Sequence, residues 1–179
     1  KRDPGVIGKT ITEEFPYFYS MALNVVEALR GPEYKNWVSR AEKEGCLCHQ
    51  DFAAGNLIIA PSGELFVLDT DSITIDIPAR DIRKLLNKVM KKKGKWDAGL
   101  TGKILHCYQR VNPLTRDEWK VVGLDIMYPH LFTGAVNKYY YQRDKEWSAE
   151  KYLQRNKETA VVERSKAPVI ERFESLITV

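Results

Sequence analysis

The sequence predicts an α+β fold that is mainly α, with one β-hairpin in its first half. Three observations predict it. Apolar residues recur three and four positions apart over most of the chain, the period of helices with one buried face. Leu57-Ile58-Ile59-Ala60 and Leu65-Phe66-Val67-Leu68 are β-rich runs, and Pro61-Ser62-Gly63-Glu64 between them has the chemistry of a turn. The chain has 179 residues, 44% hydrophobic and 11% aromatic. That is enough to bury one sizeable core and too apolar for a disordered chain.

The elements follow in order. Residues 1–13, with Pro4, Gly5 and Gly8, read as a loop or lead-in. From Tyr17 to Arg30, Phe18, Met21, Ala22, Val25, Val26 and Leu29 give helical spacing, and Gly31-Pro32 stops the helix. A second helix from about Tyr34 to Lys43 ends at Gly45. Cys46 to Cys48 is an apolar run too short to classify, and the hairpin is the one convincing β element. After Asp76, Pro78 suits a first helical turn, followed by Ile82, Leu85, Leu86, Val89 and Met90. Asp97 caps the next helix, and Thr115-Arg116-Asp117-Glu118 matches a capping box. Pro129 breaks that third helix, 131–141 continues, and Ser148 caps a last helix interrupted near Pro168.

Charge and cysteine exclude some classes. Lys and Arg number 28 against 24 Asp and Glu, a net charge of +4. This mild excess is all that favours a nucleic-acid-binding reading. Three cysteines make no disulfide framework and point to a reducing, cytoplasmic setting. Cys46-x-Cys48-His49 has no second Cys/His pair at zinc spacing. No apolar run reaches the roughly 18 residues that span a bilayer, so no membrane partner is expected. Gly5-Val6-Ile7-Gly8-Lys9-Thr10 ends like a P-loop, but its glycines are too close and no strand precedes it. The run Lys91-Lys92-Lys93-Gly94-Lys95 reads as a solvated helix end, where Lys suits the dipole.

The informative segment runs from Cys48 to Asp81 and holds His49, Asp51, Asn56, Asp69, Asp71, Asp76 and Asp81. Asp51 and Asn56 bracket the loop that enters the first hairpin strand, and Asp69 ends the second. In an antiparallel hairpin these points lie at the same end, so the three side chains can converge. A carboxylate and an amide oxygen suit magnesium, which takes its other ligands from water and nucleotide phosphates. A further unligated carboxylate can orient a hydroxyl and accept its proton. Asp76 reads equally as a helix cap or as part of this set.

His49-x-Asp51-x4-Asn56, a hairpin and then Asp69 resembles the catalytic and metal-binding segments of the kinase-like fold. It looks most like the aminoglycoside and choline phosphotransferase branch. Protein kinases carry Lys two residues after the catalytic Asp, where this chain has Ala53. Asp69-Thr70-Asp71 and Asp76-Ile77-Pro78-Ala79-Arg80-Asp81-Ile82 are similar to segments of the spore-coat kinases of the CotS/CotI type. Leu124-Asp125-Ile126-Met127-Tyr128-Pro129, Tyr139-Tyr140-Tyr141 and Trp147 look like the helical C-terminal part of that family. The resemblance covers about residues 15–177.

It implies a kinase-like C-terminal helical lobe over 15–179, with 1–14 leading in from an N-terminal lobe that is missing from this sequence. That lobe would bring the phosphate-covering loop and the ATP-pairing Lys. The implied reaction is ATP- and magnesium-dependent phosphoryl transfer to a hydroxyl of a small molecule or sugar, in a spore-coat setting, with other spore-coat proteins as partners. Asp51 would be the base, and Asn56 and Asp69 would hold magnesium against ATP phosphates. His49 and the buried carboxylate of Asp81 would brace the loop. Asp71 would contact substrate or lie one layer outside the metal. Two positions depart from the family pattern: Gln50 stands for its Gly, and Thr70 for its usual aromatic. They motivate the alternative of an inactive, structural spore-coat protein.

Overall fold

The computed structural model describes residues 5–141 and 147–177. Residues 1–4 of the expected lead-in lie outside these. The remainder of that stretch is not a loop. Helix α1 (Gly5–Ala28) runs through it and contains Pro16. Ile7, Ile11, Phe18 and Val25 fall on one stripe and are buried, and this burial outweighs the poor helix propensity of Gly and Pro. Phe18 stacks on Phe132 at 4.3 Å between ring centres.

Helix α2 (Pro32–Glu44) starts at a proline and stops at Gly45, whose φ of 68° is left-handed. The Gly45 and Cys46 amides return to the Glu42 and Ala41 carbonyls, a Schellman closure. Strand β1 (Leu47–Cys48) then pairs antiparallel with β4 (Thr74–Ile75). Between them lies the expected hairpin, β2 (Leu57–Ile59) against β3 (Leu65–Val67), with Leu57 opposite Val67. The hairpin is therefore not the one β element. The β1–β4 ladder is two residues long on each side, below the length at which alternation can be read.

Helix α3 (Ala79–Lys93) has Pro78 as its N-cap rather than in its first turn. Ile82, Leu86 and Met90 face the core, and Arg80, Lys84 and Lys88 lie away from it. Helix α4 (Ala98–Val111) is capped by Asp97 accepting from the Leu100 amide, and α5 (Arg116–Met127) by the full Thr115–Glu118 capping box. Then come α6 (His130–Tyr140), α7 (Ala149–Arg164, capped by Ser148), α8 (Ala167–Glu171) and α9 (Phe173–Ile177). The main core gathers Trp37, Leu86, Met90, Trp96, Leu105, Trp119, Val122, Ile126 and Phe173. A second cluster joins Ile7, Ile11 and Phe18 of α1 to Phe132, Tyr152 and Ala160. No described helix is long and apolar enough to cross a membrane.

Two ionic groups, one buried and one half-buried, lock the helices. Lys166 and Glu163 are both almost fully buried and pair at 2.5 Å, and Glu163 also accepts the Leu131 amide at 2.6 Å. Asp125 accepts from Arg83 Nε at 3.2 Å and lies 2.9 Å from His130 Nε2. Arg83 thereby ties α3 to α5.

Candidate active site

The site is built on the chain between β1 and α3. Asp81, in the first turn of α3, accepts the backbone N–H of His49 on Oδ2 and of Gln50 on Oδ1, both at 2.7 Å. It is half-buried rather than buried. A carboxylate receiving two amides makes charge-assisted bonds, so the start of the 49–56 loop is tied to a rigid helix. Lys84, one turn on, donates to the Gln50 carbonyl.

Gln50 sits in the left-handed region at φ 66°, a conformation that glycine takes without cost and other residues take at about 1 kcal/mol. Its side chain is buried, and Nε2 donates to Asp76 Oδ2 at 3.1 Å. Asp76 also accepts the Ile77 amide at 2.8 Å. It therefore braces the loop and does not cap α3 through its side chain.

His49 links the two halves of the site. Its Nδ1 accepts the Asp51 amide at 3.2 Å, which leaves Nε2–H to donate to the Leu68 carbonyl at 3.0 Å. Leu68 in turn donates its amide to the Asn56 carbonyl at 2.8 Å. Asp69 follows directly and adopts φ 58°, a left-handed turn that Asp tolerates. The backbone thus brings the start of Asp69 beside Asn56 at one end of the hairpin.

Asp51 and Asn56 touch. Asn56 Nδ2 donates to the Asp51 carbonyl at 2.9 Å and to its Oδ2 at 3.1 Å. With Nδ2 committed, Oδ1 of Asn56 is the atom left to accept or ligate. The other Asp51 oxygen, Oδ1, lies 2.5 Å from Lys88 Nζ. The Lys88 ammonium holds the Asp51 carboxyl below its usual range, and the Asn56 amide adds to this. An ionised carboxylate is an acceptor, the state a proton-accepting base requires.

Asp69 and Asp71 are exposed, and neither forms an ion pair among the described residues. Among those residues no three His, Cys, Asp or Glu side chains gather into a metal cage. Cys48 is not a ligand candidate. Its thiol donates to the Asp76 carbonyl at 3.2 Å, and burial pushes its pKa up to about 12.

Lys88 is the residue that sequence reading missed. Asp81, Lys84 and Lys88 lie three and four apart, so they share one face of α3. Once Asp81 is placed under the loop, that spacing puts both lysines beside it.

Comparison with known proteins identifies the fold and the family. A crystal structure of an aminoglycoside phosphotransferase from Alicyclobacillus acidocaldarius superposes with a TM-score of 0.83 at 15% identity, over 99% of this chain and 52% of that one. The fold is therefore the kinase-like phosphotransferase fold. Spore coat protein S of Bacillus subtilis is 34% identical over 171 residues, covering 96% of this chain and 48% of the relative. The chain thus spans about half the length of these relatives. The family described as "Spore coat putative kinase YutH" matches residues 4–173. With nearly the whole chain matched, it belongs to the spore coat YutH family.

Proposed function

We propose that this chain is the helical lobe of a spore-coat-associated phosphotransferase that moves the γ-phosphoryl group of ATP to a hydroxyl of a small molecule or sugar. The observation that carries the reading is the Asp51–Asn56 contact at the hairpin end where the chain turns into Asp69. The donor set fits magnesium: one amide oxygen left free by its own NH2, and one exposed carboxylate on a constrained turn. These are hard oxygens, too few to enclose an ion, as suits a metal that fills its shell with water and phosphate. Bound by Asn56 and Asp69, magnesium would neutralise phosphate charge.

The protein's own residues do the rest. Asp51, held from both sides, accepts the hydroxyl proton as the acceptor oxygen attacks phosphorus. His49 and Asp81 fix the loop that carries it. Asp71, exposed beside Asp69, would contact the acceptor or lie one layer outside the metal. The lobe takes in the start of α1 as well, because Ile7 and Ile11 pack with Phe132, Tyr152 and Ala160, so the lead-in expected over 1–14 is helical from Gly5 on and belongs to the lobe's own core. The hairpin supports a nucleotide-binding lobe beyond it. It buries no residue, and Ile59, Leu65 and Phe66 are 73%, 54% and 51% exposed. A bare two-stranded hairpin is marginally stable, so this face calls for a covering layer: the nucleotide base and the lobe above it.

The test is transfer from γ-labelled ATP to a panel of hydroxyl acceptors by the full-length protein. Asp51→Asn is expected to lose about 100-fold or more. An Asp51→Asn protein as active as the wild type overturns the reading. Gln50 and Thr70 favour a second reading, an inactive fold that serves as a structural coat protein among other coat proteins. A magnesium-dependent rise in melting temperature with ATP counts against it.

A further inference from the structure

Lys88 is a cation at the heart of the site that the phosphotransferase reading leaves unused. It comes from α3, not from the loop, yet its ammonium reaches Asp51 Oδ1 at 2.5 Å. It makes no other ion pair among the described residues. An ammonium has three donors, and Asp51 takes one. Its neighbour Lys84 is differently employed: partly buried, it holds the Gln50 carbonyl.

The position of that charge constrains its use. Each Asp51 oxygen accepts one hydrogen bond, Oδ2 from Asn56 and Oδ1 from Lys88, and each keeps a second lone pair, so an acceptor hydroxyl that uses the remaining lone pair of Oδ1 meets Lys88. The hydroxyl oxygen attacks the phosphorus, so the transferred group comes within a few ångströms of Lys88. Its three equatorial oxygens carry the charge of a loose transition state, and a fixed cation there stabilises it. The loop itself has no cation to offer: Ala53 is two residues after Asp51.

We propose that Lys88 is the phosphoryl-facing cation of this site, contacting the oxygens of the group in flight while keeping Asp51 aligned. The inference rests on the phosphotransferase reading. In the step, the bond from acceptor oxygen to γ-phosphorus forms and the bond from γ-phosphorus to the β,γ-bridging oxygen breaks. The hydroxyl proton passes to Asp51, ADP leaves with the electron pair, and Lys88 stays protonated throughout.

The test is calorimetric binding of MgADP, and of MgADP with aluminium fluoride as a mimic of the transferring phosphoryl group, to the full-length protein. Lys88→Met is expected to weaken the aluminium fluoride complex about tenfold or more, with MgADP affinity and melting temperature nearly unchanged. Lys88→Arg, which keeps the charge, is expected to restore most of the loss. Equal binding of both probes by wild type and Lys88→Met overturns the proposal and leaves the phosphotransferase reading standing. A parallel loss of both probes makes Lys88 a merely structural residue and also overturns it. A wild-type protein that binds neither probe removes the reading and the proposal together.

Discussion

The carboxylate of Asp81 accepts the backbone N–H of His49 through Oδ2 at 2.7 Å, joining the first turn of α3 to the loop that precedes Asp51. Its other oxygen takes the Gln50 amide at the same distance. One side chain thus fixes two consecutive peptide groups. Asp81→Ala is expected to cost about 2–4 kcal/mol in urea unfolding, and Asp81→Asn, which keeps one acceptor, roughly half of that. Hydrogen exchange at the His49 and Gln50 amides should quicken in step. Unchanged exchange at both amides in Asp81→Ala would mean that the loop is held by something else.

Gln50 occupies a glycine-like backbone conformation at φ 66°. Gln50→Gly relieves about 1 kcal/mol of strain and gives up one hydrogen bond to Asp76 worth about the same, so stability should stay close to wild type. Gln50→Val places a β-branched residue there and should cost about 2 kcal/mol or more. Equal unfolding midpoints for the two variants would contradict the left-handed geometry.

Asp125 gives a pH-dependent prediction. Burial opposes its ionisation, but the hydrogen bond to His130 and the charge of Arg83 outweigh this and hold the carboxyl below its ordinary value. Because the folded pKa is the lower one, the stabilisation is complete above the unfolded value, near pH 4. It is lost as pH falls through the folded value. Asp125→Asn should therefore be less stable by about 2–3 kcal/mol at neutral pH. The gap should shrink as pH falls below about 4. A gap that is constant down to acid-induced unfolding would contradict the ionic role.

What was legible in the sequence was local. The Thr115 capping box, the Asp97 and Ser148 caps and the Pro61–Glu64 turn involve residues a few positions apart, and each is found where its chemistry places it. The first half of α1 was not legible. Its glycines and Pro16 disfavour a helix, and only packing against Phe132 and Ala160 decides otherwise. The β1–β4 ladder was hidden because its strands are two residues each and far apart in the chain. Within the site, residue types and spacing brought Asp51, Asn56 and Asp69 together, while the bracing roles of His49 and Asp81 came from the family resemblance. The Lys88–Asp51 pair depends on how α3 lies under the loop, which no spacing within the loop records.

In the proposed function Asn56 and Asp69 hold a magnesium ion against ATP. Calorimetric titration of ATP into the full-length protein, with and without magnesium, measures this coupling. Wild type should bind ATP about tenfold or more tightly with the metal, and Asp69→Ala should bind equally weakly in both conditions. A wild-type affinity indifferent to magnesium, or a magnesium effect that survives in Asp69→Ala, would contradict it.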